Sequence, residues 1–256
     1  MGSPWFYLEF LQMFLVQLVR EGFSNPAIFA LDYTLVPDAT FPIQLRQVVR
    51  GYEEVLSFAK DANNVVLSGD SAGATLGLSL LLHLARPFQD VRALAPRRGL
   101  PTPGMAAFIS PWVTLQSARY APAASDYLDV NTLRMYAAMY AENRQGLATA
   151  KSDALLSPGT CTDLAWLGDA CPSRGMLVTY SAAEVFAPEI EAWLENLSKT
   201  GAEIKANRCC QVPHAWPVAS VFLGSSDETR VSGLRHICQW LRARPSTKAN
   251  IPAELL

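Results

Sequence analysis

The stretch that decides the fold is NNVVLSGDSAGATLGLSL, which spans Asn63–Leu80. A short run of valine and leucine precedes Gly69 and predicts a buried strand, and an apolar run after Gly73 predicts a helix. Ser71 lies at the junction, between the two glycines. A strand that leads directly into a helix is typical of a parallel sheet, so this stretch favours an α/β fold.

The same alternation continues on both sides of this stretch. The apolar runs predict buried strands at Pro26–Leu31, Asn64–Ser68, Met105–Ser110, Gly175–Ser181 and Ile204–Val212. The periodicity predicts helices at Trp5–Glu21, Phe41–Asp61, Ala72–Ala85, Val130–Asn143, Ala187–Gly201 and Asp227–Arg244. We therefore expect an α/β protein with a mostly parallel sheet and helices on both of its faces.

Composition indicates one large domain. The chain has 256 residues, half of them hydrophobic and 17% charged, which suits a compact protein with a buried sheet. We expect this domain to span residues 1–245, and the tail at 246–256 to be loose. The net charge of −2 gives no general attraction to nucleic acid or to acidic membranes, so neither is an expected partner.

The cysteines and the apolar N-terminus bear on the compartment. The five cysteines form no CxxC pair, so we expect reduced thiols, with a Cys161–Cys171 bridge as the alternative for a secreted protein. The N-terminal run lacks the basic region and cleavage site of a signal peptide, and it is too short and polar to span a membrane. The sequence thus predicts a cytoplasmic protein, with no metal or cofactor.

The pentapeptide Gly69–Gly73 has the pattern G-x-S-x-G between a strand and a helix, which is the context of a nucleophile elbow. In such an elbow both glycines let neighbouring backbone approach without a clash. The turn exposes the hydroxyl of Ser71 and directs the N–H of Ala72 to where an oxyanion would form. The alternative is an ordinary junction of strand and helix built from small residues.

A serine nucleophile needs a base, and the chain has three histidines. His83 and His236 lie within predicted helices, where packing or surface roles are expected. His214 follows the last predicted strand, at the position where α/β enzymes carry catalytic groups. A neutral imidazole there can accept the serine proton at pH 7, so we predict His214 as the base.

The acid that orients the histidine should follow a strand between Ser71 and His214. Glu184 lies just past the fourth predicted strand and is the preferred candidate, because a loop there can direct its carboxylate at His214. Glu189 lies about one turn into the next helix and is the alternative. The order Ser71, Glu184, His214 is the chain order of α/β-hydrolase triads.

Several sequence blocks resemble the hormone-sensitive-lipase-like esterase family of α/β-hydrolases. They follow the family's order over nearly the whole chain: LDYTLVPDATFP (Leu31–Pro42), LSGDSAGATL, FISPWVTL (Phe108–Leu115), SDALLSP (Ser152–Pro158), TYSAAEVFAPEI and VPHAWPV. The resemblance implies hydrolysis of carboxylic esters of small or medium acyl groups through an acyl-enzyme. It implies that Ser71 attacks the ester carbonyl and that His214 transfers the proton. Glu184 stands where the family usually has aspartate.

The resemblance also implies a partial helical cap within 112–175. Tyr120, Tyr127 and Tyr136 fall in this segment and are candidates to line an acyl pocket. Ordinary packing within a helical lid explains these aromatic residues equally well.

The family's HGGG motif, which supplies most of its oxyanion hole, is not found in this sequence. The chain begins MGSPW, and Gly2-Ser3 resembles the end of that motif's neighbourhood. The resemblance therefore predicts that N-terminal strands of the sheet are missing and that Ala72 is the remaining oxyanion donor. Losing one such donor costs about 2.7–4 kcal/mol of barrier height. Either Met1 is an internal methionine taken as a start, or the protein is a shortened paralogue.

The leading hypothesis is thus a carboxylesterase-type serine hydrolase with a small-molecule ester substrate. A ligand-binding homologue with weak or no activity is the second hypothesis, since the HGGG motif is lacking. A thioester or lactone hydrolase or a biosynthetic acyltransferase is the third, because fold and triad do not separate these chemistries. The sequence leaves the oligomeric state open, and a homodimer is compatible with it.

Overall fold

The structure, a computed structural model, describes residues 5–88, 99–142 and 150–244. Its sheet has four parallel strands in the order β1-β2-β3-β4. These strands are β1 (Val66–Asp70), β2 (Met105–Ile109), β3 (Met176–Ser181) and β4 (Ile204–Cys209). The predicted parallel sheet is confirmed, and each of these strands coincides with a predicted one within a few residues.

The described α-helices alternate with the strands along the chain. They are α1 (Leu8–Arg20), α2 (Ile43–Ala59), α3 (Ser71–Ala85), α4 (Val130–Ala141), α5 (Ala150–Leu156), α6 (Leu164–Ala170), α7 (Ala187–Ser198), α8 (Trp216–Leu223) and α9 (Asp227–Arg242). Short 3-10 turns at Ala62–Asn64 and Pro158–Thr160 join some of them. Within the described residues, no helix combines the length and the apolar character that crossing a membrane requires.

Alternate side chains of β2 show that helices cover both faces of the sheet. Met105, Ala107 and Ile109 belong to a buried cluster with residues of α1, α8 and α9. Ala106 and Phe108 belong to a second cluster with residues of α2, α3, α6 and α7. Successive side chains of a strand point to opposite faces, so the two clusters lie on opposite sides of the sheet. The predicted covering of both faces is confirmed.

The predicted strand at Pro26–Leu31 is wrong. This segment forms no regular secondary structure, and it exposes Ile28 and, by 52%, Phe29. An apolar run becomes a strand only when a neighbouring strand accepts and donates its backbone hydrogen bonds, and no described strand does so here. β1 instead lies at an edge of the described sheet.

Two other differences concern helices. Helix α8 is not among the predicted helices, and Pro217 lies in its first turn, where proline fits because its missing N–H would have no partner in the helix. The segment between β2 and β3 contains α5 and α6 as well as the predicted helix α4. The predictions for Gly2-Ser3, for the tail at 246–256 and for the last predicted residue of α4, Asn143, lie outside the described residues.

Candidate active site

Ser71 occupies a strained turn between β1 and α3. Its φ of +51° lies in the left-handed region that residues with a side chain rarely adopt. Gly69 makes this turn possible, because a Cβ at that position would lie 2.7 Å from the carbonyl carbon of Gly73 and 2.9 Å from the nitrogen of Ala74. The turn therefore has the backbone strain expected of a nucleophile elbow.

The expectation for the second glycine is wrong. Among the described residues outside its own helical turn, a Cβ on Gly73 would meet nothing within 4 Å, so no close approach of theirs requires a glycine there. Gly73 lies in the first turn of α3, and its Cβ direction points away from the described neighbours. The two glycines of the motif thus have different physical roles.

This difference predicts opposite effects of alanine. Gly69→Ala should lower the free energy of unfolding by about 1–3 kcal/mol, because backbone atoms must move to admit the methyl group. Gly73→Ala should leave stability unchanged or raise it by about 0.5–1 kcal/mol, because alanine favours the helix. Urea unfolding of the two variants measures both effects. Equal destabilisation by both substitutions would contradict the assigned roles.

The N–H of Ala72 lies at the amino-terminal end of α3. The first four N–H groups of a helix have no partner within the helix, and the helix dipole adds partial positive charge there. Ala72 directly follows Ser71 at the start of α3, so its N–H is one of these four groups. This arrangement is suited to a developing negative charge.

Glu184 and His214 lie together at the carboxyl ends of neighbouring strands. Glu184 follows β3, His214 follows β4, and Oε2 of Glu184 is 3.6 Å from Nδ1 of His214. Their side chains are 0% and 3% exposed, respectively. Low dielectric surroundings strengthen the interaction of such a pair. Because β1 is parallel to both strands, Ser71 lies at the same end of the sheet.

Ser110, at the end of β2, joins the loops of the two residues. Its hydroxyl donates to Oε2 of Glu184 at 2.6 Å and accepts from the backbone N–H of Ala215 at 2.9 Å. Oε1 of Glu184 and Nδ1 of His214 are both buried and have no hydrogen-bond partner among the described residues. The carboxylate oxygen nearest Nδ1 is Oε2, which also accepts from Ser110 and from the backbone N–H of Ser181 at 3.4 Å, and Nδ1 can carry a proton.

Aromatic rings surround the imidazole of His214. The ring of Phe186 meets it edge to face at a centroid distance of 5.1 Å, and Trp112 stacks on Phe186 at 5.5 Å. Tyr127 meets the imidazole at 5.9 Å, and its hydroxyl donates to the backbone oxygen of His214 at 3.1 Å. These contacts hold the ring plane and keep water from one side of it.

Asp70 places a second carboxyl group beside the turn. The hydroxyl of Tyr7, just before α1, donates to its Oδ2 at 2.7 Å. Burial raises the pKa of Asp70, and the hydrogen bond from Tyr7 and the nearby His214 oppose this rise. Burial and then the charge of Asp70 raise the pKa of Tyr33 to about 12. The hydrogen bond ties the N-terminal segment to the residue that precedes Ser71.

Glu189, the alternative acid, lies in a different network. Its carboxylate accepts from Ser117 Oγ at 2.5 Å, Arg119 Nε at 2.7 Å and Thr114 Oγ1 at 3.0 Å. Burial raises the pKa of Glu189, but the hydrogen bonds from Ser117, Arg119 and Thr114 outweigh it and hold the pKa below its usual value. The structure thus brings Glu184, and not Glu189, to His214.

The remaining candidates have ordinary surroundings. His83 is buried in α3, where its Nδ1 accepts from the N–H of Phe88 at 3.2 Å. Tyr120 is buried against Phe186, so packing explains it, and Tyr136 is partly buried at the core. Among the described residues, no group of three or more metal-binding side chains occurs.

Sequence reasoning missed Ser110, Tyr7 and Asp126 as neighbours of the site. Ser110 ends a predicted strand, so its position after β2 was a usable signal. Tyr7 and Asp126 reach the site from a helix start and a loop, and no periodicity indicates which side such polar residues face.

Comparisons with known proteins assign the chain to a family. A model of the steryl acetyl hydrolase family matches residues 4–213. The mug81 protein of Schizosaccharomyces pombe, named as a steryl acetyl hydrolase, is 29% identical over 180 residues, covering 67% of this chain and 44% of that protein. An acetyl-hydrolase of Streptomyces hygroscopicus is 27% identical over 197 residues, covering 75% of this chain and 58% of that protein. The chain thus spans about half the length of these curated relatives.

A solved structure of a hormone-sensitive lipase from a metagenome library superposes with a TM-score of 0.72. The aligned region covers 95% of this chain and 74% of the lipase chain, at 24% sequence identity. The match shows that the two proteins share a fold. The shared fold agrees with the parallel sheet of this chain. Because the family model matches most of the chain, the protein belongs to the steryl acetyl hydrolase family and has the α/β-hydrolase fold of hormone-sensitive-lipase-like esterases.

Proposed function

We propose that this protein is a serine hydrolase that cleaves carboxylic esters of small acyl groups, acetyl esters among them. The observation that carries the proposal is the buried contact between Glu184 and His214 at the end of the sheet that also carries the strained Ser71. The names of the relatives, a steryl acetyl hydrolase and an acetyl-hydrolase, support acetyl as the acyl group.

The proposed reaction begins at the hydroxyl of Ser71. His214 accepts the hydroxyl proton on Nε2 while the serine oxygen attacks the ester carbonyl carbon. The N–H of Ala72 stabilises the negative charge on the carbonyl oxygen of the tetrahedral intermediate. The intermediate collapses, the ester C–O bond breaks, and the proton on His214 passes to the departing alcohol. Ser71 then carries the acyl group as an ester.

Water completes the cycle by the same route. His214 takes a proton from the water molecule, whose oxygen attacks the acyl carbon, and then returns the proton to Ser71 as the acid departs. Throughout, Glu184 stabilises the imidazolium and keeps the Nδ1 proton in place. The aromatic rings of Phe186 and Trp112 support the imidazole from the side.

We further propose that the segment at 112–175 acts as a partial cap over the acyl site. Tyr127, which is 63% exposed and contacts His214, is the aromatic residue of this segment best placed to meet a substrate. Tyr120 is buried under Phe186 and is not assigned to the pocket.

Covalent labelling tests the proposed function. A fluorophosphonate should label the protein once, and peptide mass spectrometry should place the adduct on Ser71. Ser71→Ala should abolish both labelling and the hydrolysis of p-nitrophenyl acetate. Ser68→Ala is the matched control, because Ser68 lies on β1 and its hydroxyl donates to the backbone oxygen of Ala107, away from the turn. An unlabelled wild-type protein, or labelling that survives in Ser71→Ala, would contradict the proposal.

A further inference from the structure

Three consecutive residues of the loop before α4 contact the loops that carry Glu184 and His214. Ser125 Oγ donates to the backbone oxygen of Ala183 at 3.3 Å. Asp126 accepts backbone hydrogen bonds from Val185 and His214 in these loops and from the nearby Leu128, and Tyr127 donates its hydroxyl to the backbone oxygen of His214. We call residues 125–127 the loop clamp. It connects parts of the chain that are also joined by Ser110, by the hydroxyl of Ser181, which donates to the backbone oxygen of Val212, and by their own strands.

Asp126 is the central residue of the loop clamp. Its Oδ2 accepts from the N–H of Val185 at 2.7 Å, and its Oδ1 accepts from the N–H of His214 at 3.3 Å. Val185 directly follows Glu184, so one carboxylate binds the backbone of the acid loop and the backbone of the base. The two partners lie 59 and 88 residues farther along the chain. Hydrogen bonds to an ionised carboxylate are stronger than those to neutral acceptors.

This geometry fixes how far Glu184 lies from His214. A shift of either loop would lengthen one of the two hydrogen bonds of Asp126, and the ring and hydroxyl of Tyr127 oppose rotation of His214. Ser110, at the end of β2, restrains the same two loops through Glu184 and Ala215. The acid and base are therefore held by Ser110 as well as by the loop clamp.

We propose that Asp126 is a positioning residue, which, aided by the hydroxyl of Tyr127, sets the distance between the Glu184 carboxylate and the His214 imidazole. The inference rests on the proposed function, in which this pair transfers the serine proton. It links the segment at 112–175 to catalysis. In this proposal the acid and base are aligned only when residues 125–127 contact the loops that carry Glu184 and His214.

Asp126→Asn tests this role with little change in shape. An amide oxygen can accept from one N–H, but the amide NH2 group faces the other, so one of the two loops is released. We expect phosphonylation of Ser71 by a fluorophosphonate to slow roughly 10- to 100-fold, the effect of misplacing a catalytic group by about 1 Å. Asp129→Asn is the matched control. Asp129 belongs to the same segment, but its carboxylate accepts from Thr132 at the start of α4.

A double-mutant cycle separates positioning from a direct charge effect. If Asp126 acts through Glu184, Asp126→Asn should change the rate less than about twofold in a Glu184→Gln background. An equal slowing in both backgrounds, or no slowing in either, would overturn the proposal. Should Asp126→Asn fail a thermal unfolding check, Tyr127→Phe replaces it, since it removes one hydroxyl from an exposed side chain and should show the same dependence on Glu184.

Proton NMR distinguishes a failure of the positioning role of Asp126 from a failure of the proposed function. The proton on Nδ1 of His214, assigned by its loss in His214→Gln, should give a low-field proton resonance when it bonds to Glu184. Asp126→Asn should shift or broaden this resonance, whereas Asp129→Asn should not. If the wild-type protein is never phosphonylated, the proposed function fails, and this resonance alone decides the role of Asp126. An unchanged resonance in Asp126→Asn would then overturn it.

Discussion

Glu184→Gln should lower the rate at which Ser71 is acylated by p-nitrophenyl acetate roughly 10³- to 10⁴-fold, with little change in stability. The carboxylate accepts the Ser110 hydroxyl and lies 3.6 Å from Nδ1 of His214. Because Oε2 faces both the Ser110 hydroxyl and Nδ1, a glutamine oxygen in its place keeps both contacts. The variant lacks the negative charge that stabilises the imidazolium formed when His214 accepts the serine proton.

Stopped-flow measurement of the acylation phase gives this rate, and mass spectrometry gives the acylated fraction. Glu191→Gln is the matched control, because Glu191 lies on α7 in an exposed ion pair with Arg208. Exposed pairs of this kind contribute little to stability. A Glu184→Gln protein that acylates at the wild-type rate would remove Glu184 from the proposed triad and reopen the search for its acid.

The second large effect is expected at Glu189. Glu189→Gln should lower the free energy of unfolding at pH 7 by about 2–3 kcal/mol. The substitution removes the charge of a buried carboxylate and so weakens its hydrogen bonds with Ser117, Arg119 and Thr114. Two of these partners lie in the loop after Thr114, so the substitution should also loosen that loop from α7. Urea unfolding at pH 7 measures the loss, again beside Glu191→Gln. Equal stability of the two variants would contradict this role.

The pH dependence of the Glu189 effect has a definite sign. The pKa of Glu189 is lower in the folded protein than its ordinary value of 4.5. A carboxyl group with a depressed pKa stabilises the fold above its unfolded pKa, and that contribution is lost as the pH falls through the folded pKa. The difference between wild type and Glu189→Gln should therefore be constant from about pH 6 to 8 and shrink below about pH 4.5. A difference that grows as the pH falls would contradict the assignment.

Much of the fold was predictable because local patterns and the sheet agree. The runs that became β2 and β3 are buried on both faces, and such strands read as continuous apolar segments. Pro26–Leu31 is similarly apolar, but no strand of the described residues lies beside it, and the sequence of a segment does not report its partner. Composition therefore predicts the tendency to form a strand, and pairing decides the outcome.

The candidate site was predictable to the extent that it follows from strand order. Ser71, Glu184 and His214 each lie just past a predicted strand, and parallel strands bring their carboxyl ends together. Asp126 could not be found in this way, because its role depends on how the loop before α4 folds back over two distant loops. Likewise, a glycine is required at position 69 and not at position 73 because of the direction in which a Cβ would point. The motif itself does not encode that direction.

The strand order has a mechanical consequence for proton transfer. Ser71 is attached to β1 at one edge of the described sheet and His214 to β4 at the other, so their anchoring points lie three strand spacings apart, roughly 14 Å. Loops close this gap, and β2 and β3 transmit any change of twist between the two edges. The distance between serine and histidine therefore depends on the twist of the two strands between them, and a substitution in β2 or β3 that altered this twist would alter that distance.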